Sequence, residues 1–117
     1  MNLLDTDIII ELLRKRKHEV GAISTITLIE VLRGLDAEKR AKAKELLEES
    51  FNMQVIDNKI IETYCSLYQK LRNEGIQIPD ADLLIAATAI SNNMTLKTGD
   101  EHFERLKTCH LDTRSQF

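Results

Sequence analysis

The chain has 117 residues, of which 43% are hydrophobic and 30% are charged, with 4 glycines and 1 proline. This length predicts one domain over residues 1–117 and excludes a two-domain enzyme, and the low glycine and proline content excludes a collagenous or low-complexity chain. The formal net charge of −3 excludes a global attraction to nucleic acid or to an anionic membrane, so that any nucleic-acid contact has to be local.

The cysteines and the lengths of the apolar runs indicate where in the cell the protein is expected. Cys65 and Cys109 lie far apart without a C-x-x-C spacing, which favours neither a disulfide framework nor a cysteine zinc site. The N-terminus carries acids instead of a basic leader, and the apolar stretch at residues 83–90 is far shorter than the roughly 18 residues that cross a bilayer. We therefore expect a cytoplasmic protein without a signal peptide or membrane helix.

The first elements alternate between strand and helix. Residues 3–4 form a short apolar run, and residues 8–13 carry apolar side chains at helical spacing, with a wider apolar face than one core contact needs. The apolar run at residues 20–26 predicts a strand, and residues 28–32 predict a helix that Gly34 ends.

The middle of the chain continues this alternation. Asp36 is placed to cap a helix over residues 37–49, with Ala41 and Leu47 on its inner side, and residues 53–56 predict a strand.

The last predicted elements are two helices and a strand. The apolar stripe at residues 59–73 predicts a helix that Gly75 ends, residues 82–90 form a strongly apolar helix, and residues 94–98 predict a strand. Strands that alternate with helices indicate an α/β sandwich with a mostly parallel sheet.

Acidic residues follow the predicted strands. Asp5 and Asp7 come after the first strand, Asp57 after the middle one and Asp100 after the last. In an open parallel sheet the ligand site lies beyond the carboxyl ends of the strands, so these acids are candidates for one site.

Several acids also have a purely structural explanation. Asp5 is a good helix N-cap, and Thr27 with Glu30 has the spacing of a capping box. Asp80 is expected to cap the helix that follows it, whereas Asp82 faces the packed side of that helix.

Four acids together indicate a functional site, because the predicted fold brings them to one edge: Asp5, Glu30, Asp82 and Asp100. Clustered carboxylates repel one another, and Mg²⁺ or Mn²⁺ relieves that repulsion through oxygen ligands. A cluster without His or Cys favours these ions over zinc. The histidines, expected at the surface rather than in a ligand set, are His18, His102 and His110.

Four motifs in series carry a family resemblance. They are Asp5-Thr6-Asp7 after an apolar strand, residues 30–34 (EVLRG), residues 82–89 (DLLIAATA) and residues 96–100 (LKTGD). In this order, over nearly the whole chain, they resemble a PIN domain, specifically the small VapC-type ribonuclease toxins of type II toxin-antitoxin pairs. The resemblance implies a three-layer sandwich in which helices flank a mostly parallel central sheet.

The resemblance also implies roles for individual residues. Thr98 corresponds to a small polar residue beside the site, and Asp7 stands where many members carry Asn, so its role is secondary. The last motif departs from the commoner Thr-Arg-Asn-x-x-Asp-Phe form, which leaves open whether Asp100 or Glu101 completes the site; we favour Asp100. The implied metal-binding and catalytic acids are Asp5, Glu30, Asp82 and Asp100.

The expected chemistry is metal-dependent hydrolysis of RNA phosphodiester bonds by an activated water, which leaves a 3′-hydroxyl and a 5′-phosphate. Arg14, in a basic run that can equally be a solvated face, and Arg33 are weak candidates for RNA binding. Tyr64 and Tyr68 are expected in the core rather than in a base-stacking platform. By resemblance, the partners are an antitoxin that crosses the apolar first helix and blocks the acid site, and a second copy of the chain in a homodimer.

Two other functions are compatible with parts of the sequence. A phosphorylation-switched receiver module also has acids after its first strand, and Asp57 and Lys97 imitate its phosphoacceptor and lysine, although that interpretation gives Glu30 and Asp82 no role. A catalytically inactive PIN-like module that binds RNA or protein is the other alternative. The dispersed glycines disfavour a nucleotide-binding protein, because they form no phosphate-cradling loop.

Overall fold

The computed structural model describes residues 1–109 and 111–115, so that His110 lies outside the described residues. Strands and helices alternate as predicted, and two elements near the C-terminus, a 3-10 helix and a fifth strand, were not predicted. In chain order the elements are β1 (Asn2–Leu4), α1 (Thr6–Lys15), β2 (Ala22–Ser24), α2 (Thr25–Leu32), α3 (Ala37–Ser50), β3 (Asn52–Gln54), α4 (Asn58–Asn73), α5 (Asp80–Ser91), β4 (Thr95–Thr98), the 3-10 helix (Glu101–Cys109) and β5 (Thr113–Ser115).

The strands form one five-stranded sheet in the order β3-β2-β1-β4-β5. All four neighbouring pairs are parallel, with Leu3 opposite both Ala22 of β2 and Leu96 of β4. Parallel neighbours require crossover connections, which the helices provide. Consequently all strands end at the same edge, here called the carboxyl edge, and β1 lies at its centre.

The sheet separates two hydrophobic cores. Leu3 and Ala22 pack against α4, α5 and the 3-10 helix, whereas Leu4 and Ile23 pack against α1, α2 and α3. All four side chains are fully buried. The alternation follows from the pleat of a strand, and burial on both faces is typical of parallel sheets. The predicted three-layer sandwich is confirmed, and its sheet is entirely parallel over the described strands.

Helix α3 begins as predicted but presents a narrower inner face. The Asp36 carboxylate accepts a hydrogen bond from the Lys39 backbone N–H at 3.0 Å, and Leu47 is fully buried. Ala41, expected on the inner side, is exposed, and Ala43 is half-buried instead. The reason is helix geometry, because at about 100° per residue Ala41 lies about 120° away from Leu47 around the axis and Ala43 only about 40°.

Two predicted helix ends have different causes. Gly75 follows α4 with a φ of 71° and donates its N–H to the Arg72 carbonyl at 3.1 Å, which is the left-handed stop expected of glycine. Helix α2 also ends before a glycine, but its cap residue Arg33 stays in the right-handed region. Within the described part of the chain, no helix has the length and apolar character needed to cross a membrane.

Candidate active site

Asp5 leaves β1 at the carboxyl edge and has two structural partners. Its Oδ1 accepts a hydrogen bond from the Thr6 backbone N–H at 2.8 Å, which makes Asp5 the N-cap of α1. Its Oδ2 accepts a hydrogen bond from the Thr98 hydroxyl on β4 at 2.6 Å, and the residue is only 5% exposed. The N-cap role and a role in a site are therefore compatible, since one oxygen serves each.

The loop after β4 is held in place by two further hydrogen bonds, one to the end of β4 and one to the start of α1. The Thr98 hydroxyl oxygen accepts from the Asp100 backbone N–H at 3.0 Å, so one buried hydroxyl connects Asp5 to Asp100. The Asp7 Oδ2 accepts from the Gly99 backbone N–H at 3.1 Å. Thr98 and Asp7 therefore fix the position of the segment that carries Asp100.

Glu30 reaches the same region from α2. The Thr6 hydroxyl donates a hydrogen bond to Glu30 Oε1 at 2.7 Å, and the Arg33 guanidinium lies 3.8 Å from Oε2. Of the two explanations open for Glu30, the capping box with Thr27 does not form, because Ser24 is the N-cap and accepts from the Thr27 N–H at 3.1 Å. Helix α2 begins one turn earlier than the box requires, which places Glu30 beyond the first turn and leaves its carboxylate available for the site.

Asp82 enters the site from the first turn of α5. The residue that caps α5 is Pro79, and Asp80 instead accepts a hydrogen bond from the Tyr64 hydroxyl at 2.6 Å. The prediction that Asp80 caps the helix is therefore wrong, because α5 already includes it. Positions two apart on a helix point in different directions, so Asp80 faces α4 while Asp82 faces the other acids.

The electrostatics of these acids indicate that they repel one another. Burial, with smaller contributions from the charges of Asp7 and Asp82, raises the pKa of Asp5 to about 7, although the hydrogen bonds from Thr98 and the Thr6 N–H lower it. Burial, followed by the charges of Asp100 and Glu30, also raises the pKa of Asp82. Asp5, Glu30, Asp82 and Asp100 thus share one electrostatic environment.

One group of ligand atoms has the dimensions of an ion-binding site. Among the described residues, one ligand atom from each of Asp82, Asp100 and His102 lies within 4.8 Å of the others. His102 is exposed, as expected, but it belongs to this candidate ligand group, where no histidine was expected. The His102 backbone N–H donates to Asp100 Oδ1 at 2.9 Å, and the ring Nδ1 lies 3.5 Å from the same oxygen. The two-residue spacing between Asp100 and His102, at the start of a helix, was the signal available in the sequence.

Comparison with known proteins agrees with this geometry. Residues 3–108 match the sequence model of the PIN domain. The chain belongs to the PIN domain family. It is 41% identical over 109 residues to ribonuclease VapC1 of Methanocaldococcus jannaschii, an alignment that covers 90% of this chain and 80% of that protein. The family resemblance inferred from the four motifs is confirmed.

Solved structures extend the similarity to three dimensions. This PIN domain superposes on VapBC-1 from nontypeable Haemophilus influenzae with a TM-score of 0.83 and 28% identity, covering 97% of this chain and 96% of that chain. It also superposes on a toxin-antitoxin complex from Klebsiella pneumoniae with a TM-score of 0.70 and 26% identity, covering 88% of this chain and 90% of that chain.

The topology of the PIN domain excludes the receiver interpretation. In the doubly wound order that receivers use, the third strand lies next to the first, whereas here β3 is at the edge and β2 separates it from β1. The Asp57 carboxylate caps α4 by accepting from the Ile60 N–H at 3.0 Å. Lys97 donates to Glu19 at 2.7 Å. Neither residue takes part in a phosphoacceptor site.

The remaining predicted site residues of this PIN domain lie at its surface. Arg14 is ion-paired with Glu11 on the last turns of α1 at 3.8 Å, whereas Arg33 lies beside Glu30. Glu101 is exposed and begins the 3-10 helix. Tyr68 is 45% exposed, so the expectation that both tyrosines of α4 lie in the core is wrong for Tyr68.

Proposed function

We propose that this PIN domain is a divalent-metal-dependent endoribonuclease and the toxin of a toxin-antitoxin pair. The observation that carries the proposal is the convergence of four acids on one electrostatic environment at the carboxyl edge. They come from the junction of β1 and α1, from α2, from α5 and from the loop after β4. The name of the Methanocaldococcus jannaschii relative and the toxin-antitoxin complex among the similar structures support the activity and the pairing. The proposed metal-binding and catalytic residues are Asp5, Glu30, Asp82 and Asp100.

The donor set fits a hard divalent cation. Carboxylate oxygens suit Mg²⁺ and Mn²⁺. Burial and, to a smaller extent, the charges of neighbouring acids raise the pKa values of Asp5 and Asp82, and a bound cation would offset both costs of their ionised forms. Membership of Asp100 in the ion-sized group with Asp82, together with the exposure of Glu101, supports Asp100 as the fourth acid. When bound, the cation would supply an activated water and neutralise charge that develops on the phosphate during hydrolysis.

The residues around the acids would hold them in place before substrate arrives. Thr98 connects Asp5 to Asp100, and Asp7 holds the Gly99 backbone. Donors and acceptors that are fixed in advance need no reorganisation during the reaction, which is where much enzymatic rate enhancement arises. Arg33 is exposed beside Glu30, where its guanidinium could meet an RNA phosphate next to the acids.

The test is cleavage of a mixed RNA pool by the purified chain, freed of any partner, in Mg²⁺, in Mn²⁺ and in chelator. Asp82→Asn should reduce metal-dependent cleavage by at least about a hundredfold, because it removes a ligand and its charge. Asp80→Asn is the matched control, since it makes the same change two residues away on a carboxylate that binds Tyr64. Products with 5′-phosphate and 3′-hydroxyl ends are expected.

Equal cleavage by Asp82→Asn and the unchanged chain would overturn the assignment. Mn²⁺ titration of the chain without RNA separates the remaining possibilities. Binding of Mn²⁺ without cleavage of any RNA would favour the inactive binding module, whereas failure to bind Mn²⁺ would refute the metal site itself.

The proposed antitoxin contact uses the outer face of α1. Ile8 and Ile9 are buried beneath this helix, but Ile10 is 41% exposed and Leu13 is 36% exposed, although both are large and apolar. A partner segment that covers them would lie on the helix that Asp5 begins, close to the acids. Ile10→Glu should weaken co-purification with the antitoxin, and Ile61→Glu, a similarly exposed position on α4, serves as the control. The homodimer is tested separately by light scattering of the antitoxin-free chain.

A further inference from the structure

We infer that the hydroxyls of Ser24, Thr27 and Thr6 form a one-directional chain of hydrogen bonds that positions the Glu30 carboxylate for cation binding. This inference rests on the proposed metal site and assigns positioning residues to it. Ser24 and Thr27 are not among the acids or their immediate contacts, and neither was a candidate from the sequence.

Three short distances define the chain. Ser24 Oγ lies 3.3 Å from Thr27 Oγ1, and Thr27 Oγ1 lies 3.1 Å from Thr6 Oγ1. The last link, from the Thr6 hydroxyl to Glu30 Oε1, is 2.7 Å. Ser24 and Thr27 are both 0% exposed, so that water cannot replace these contacts. The chain runs from the end of β2, through the first turn of α2, to the start of α1.

The direction of the chain follows from counting protons. Each hydroxyl has one proton to donate, and an ionised carboxylate only accepts. Thr6 gives its proton to Glu30, so its contact with Thr27 has to use the proton of Thr27. By the same reasoning, the contact between Thr27 and Ser24 uses the proton of Ser24.

The beginning of the chain is also fixed. Ser24 Oγ accepts the Thr27 backbone N–H at 3.1 Å as the N-cap of α2. The dipoles therefore all point from the N-terminus of α2 towards Glu30, and hydrogen bonds aligned in this way polarise and strengthen one another.

The consequence is a fixed orientation for a long side chain. Glu30 Oε1 is held by Thr6, while the other oxygen, Oε2, lies 3.8 Å from the guanidinium of Arg33. Because Thr6 is the neighbour of Asp5, the chain also sets the position of Glu30 relative to Asp5. Partners that orient metal ligands in this manner typically change metal affinity by about 10- to 100-fold when they are removed.

The first test measures Mn²⁺ affinity of the antitoxin-free chain by calorimetry, with the melting temperature recorded for every variant. Thr27→Val keeps the side-chain shape, removes the middle hydroxyl and should weaken Mn²⁺ binding about tenfold. Thr27→Ser restores the hydroxyl and should bind within about twofold of the unchanged chain. Thr88→Val is the matched control, since Thr88 is equally buried on a helix and its hydroxyl donates to the Leu84 carbonyl at 2.8 Å.

A double-mutant cycle distinguishes positioning from a merely structural role. In a Glu30→Gln background, Thr27→Val should change Mn²⁺ affinity by less than about twofold, because its effect acts through Glu30. An undiminished effect in that background would refute the inference, as would unchanged affinity in Thr27→Val when Glu30→Gln alone weakens binding. If Thr27→Val does not fold, Thr6→Val breaks the last link and is judged by the same criteria.

The controls separate this inference from the proposed function. Failure of the unchanged chain to bind Mn²⁺ refutes the metal site and the positioning chain together. Normal binding by the unchanged chain and by Thr27→Val, with loss in Asp82→Asn, refutes the positioning chain alone.

Discussion

Replacing Asp5 by Asn should stabilise the metal-free protein at neutral and alkaline pH. The Asp5 side chain is 5% exposed, and burial, with smaller contributions from the charges of Asp7 and Asp82, raises its pKa from 3.8 to about 7. This difference corresponds to about 4 kcal/mol against the ionised form in the folded state. Asn is uncharged, keeps an oxygen for the Thr6 N–H and avoids that cost.

The pH window follows from the two pKa values. Between pH 3.8 and about 7, the folded chain binds more protons at this position than the unfolded chain does. The free energy of unfolding therefore falls as the pH rises through this window. Above about pH 7, the contribution of Asp5 to it no longer changes with pH. The advantage of Asp5→Asn should be small near pH 4 and reach about 2 to 4 kcal/mol at pH 8.

The measurement is urea denaturation in chelator at a series of pH values from 4 to 8. Asp36→Asn is the matched control, since Asp36 also caps a helix but is exposed to water, and its curve should parallel that of the unchanged chain. Mn²⁺ at pH 8 should stabilise the unchanged chain more than Asp5→Asn. If the stability difference between Asp5→Asn and the unchanged chain does not vary between pH 5 and 8, the inference that burial and neighbouring charges raise the pKa of Asp5 is refuted.

Three further changes test other contacts. Asp7→Ala removes the acceptor of the Gly99 N–H and should slow single-turnover RNA cleavage about tenfold. Asp7→Asn keeps an acceptor and should retain most of the rate. Equal cleavage rates for these two variants would contradict the role of this hydrogen bond. Lys97→Met leaves the half-buried Glu19 without its cation and should lower the free energy of unfolding by about 1 to 3 kcal/mol in urea denaturation, with Mn²⁺ affinity unchanged. Gly75→Ala should cost about 1 kcal/mol by the same assay, solely from its positive φ, because no atom lies within 4 Å of the added methyl group; no loss would show that the loop relaxes.

Local chemistry accounts for the parts of the structure that the sequence predicted well. Asp36 and Gly75 mark helix ends because their capping geometry depends on only a few neighbouring residues. The buried runs of β1 and β4 and the all-apolar face of α5 were recognisable because parallel strands and a central helix bury nearly every side chain. The PIN motifs depended on the same kind of local pattern, read in series.

The errors arose where a boundary depends on distant partners. The first turn of α2 is set by the point at which β2 stops pairing with β1 and β3, and this pairing made Ser24, not Thr27, the cap. The Asp80 carboxylate likewise has a distant partner, the Tyr64 hydroxyl on another helix, which the pattern around Asp80 does not reveal. The 3-10 helix was not predicted because Phe103 and Leu106, which are 1% and 0% exposed, pack against core residues from other elements. The sequence of residues 101–109 alone does not show those contacts.

By itself, the sequence determined which acids are present, that Asp5 and Asp100 follow strand ends, and that the chain is an α/β sandwich of the PIN family. Only the tertiary structure decided that Glu30 turns towards Asp5 through Thr6, that His102 joins Asp82 and Asp100, and that three hydroxyls from separate segments align. The physical reason is range. Caps, turns and periodicity act over a few residues, whereas desolvation, charge repulsion and side-chain hydrogen bonds depend on which segments the sheet brings to its carboxyl edge.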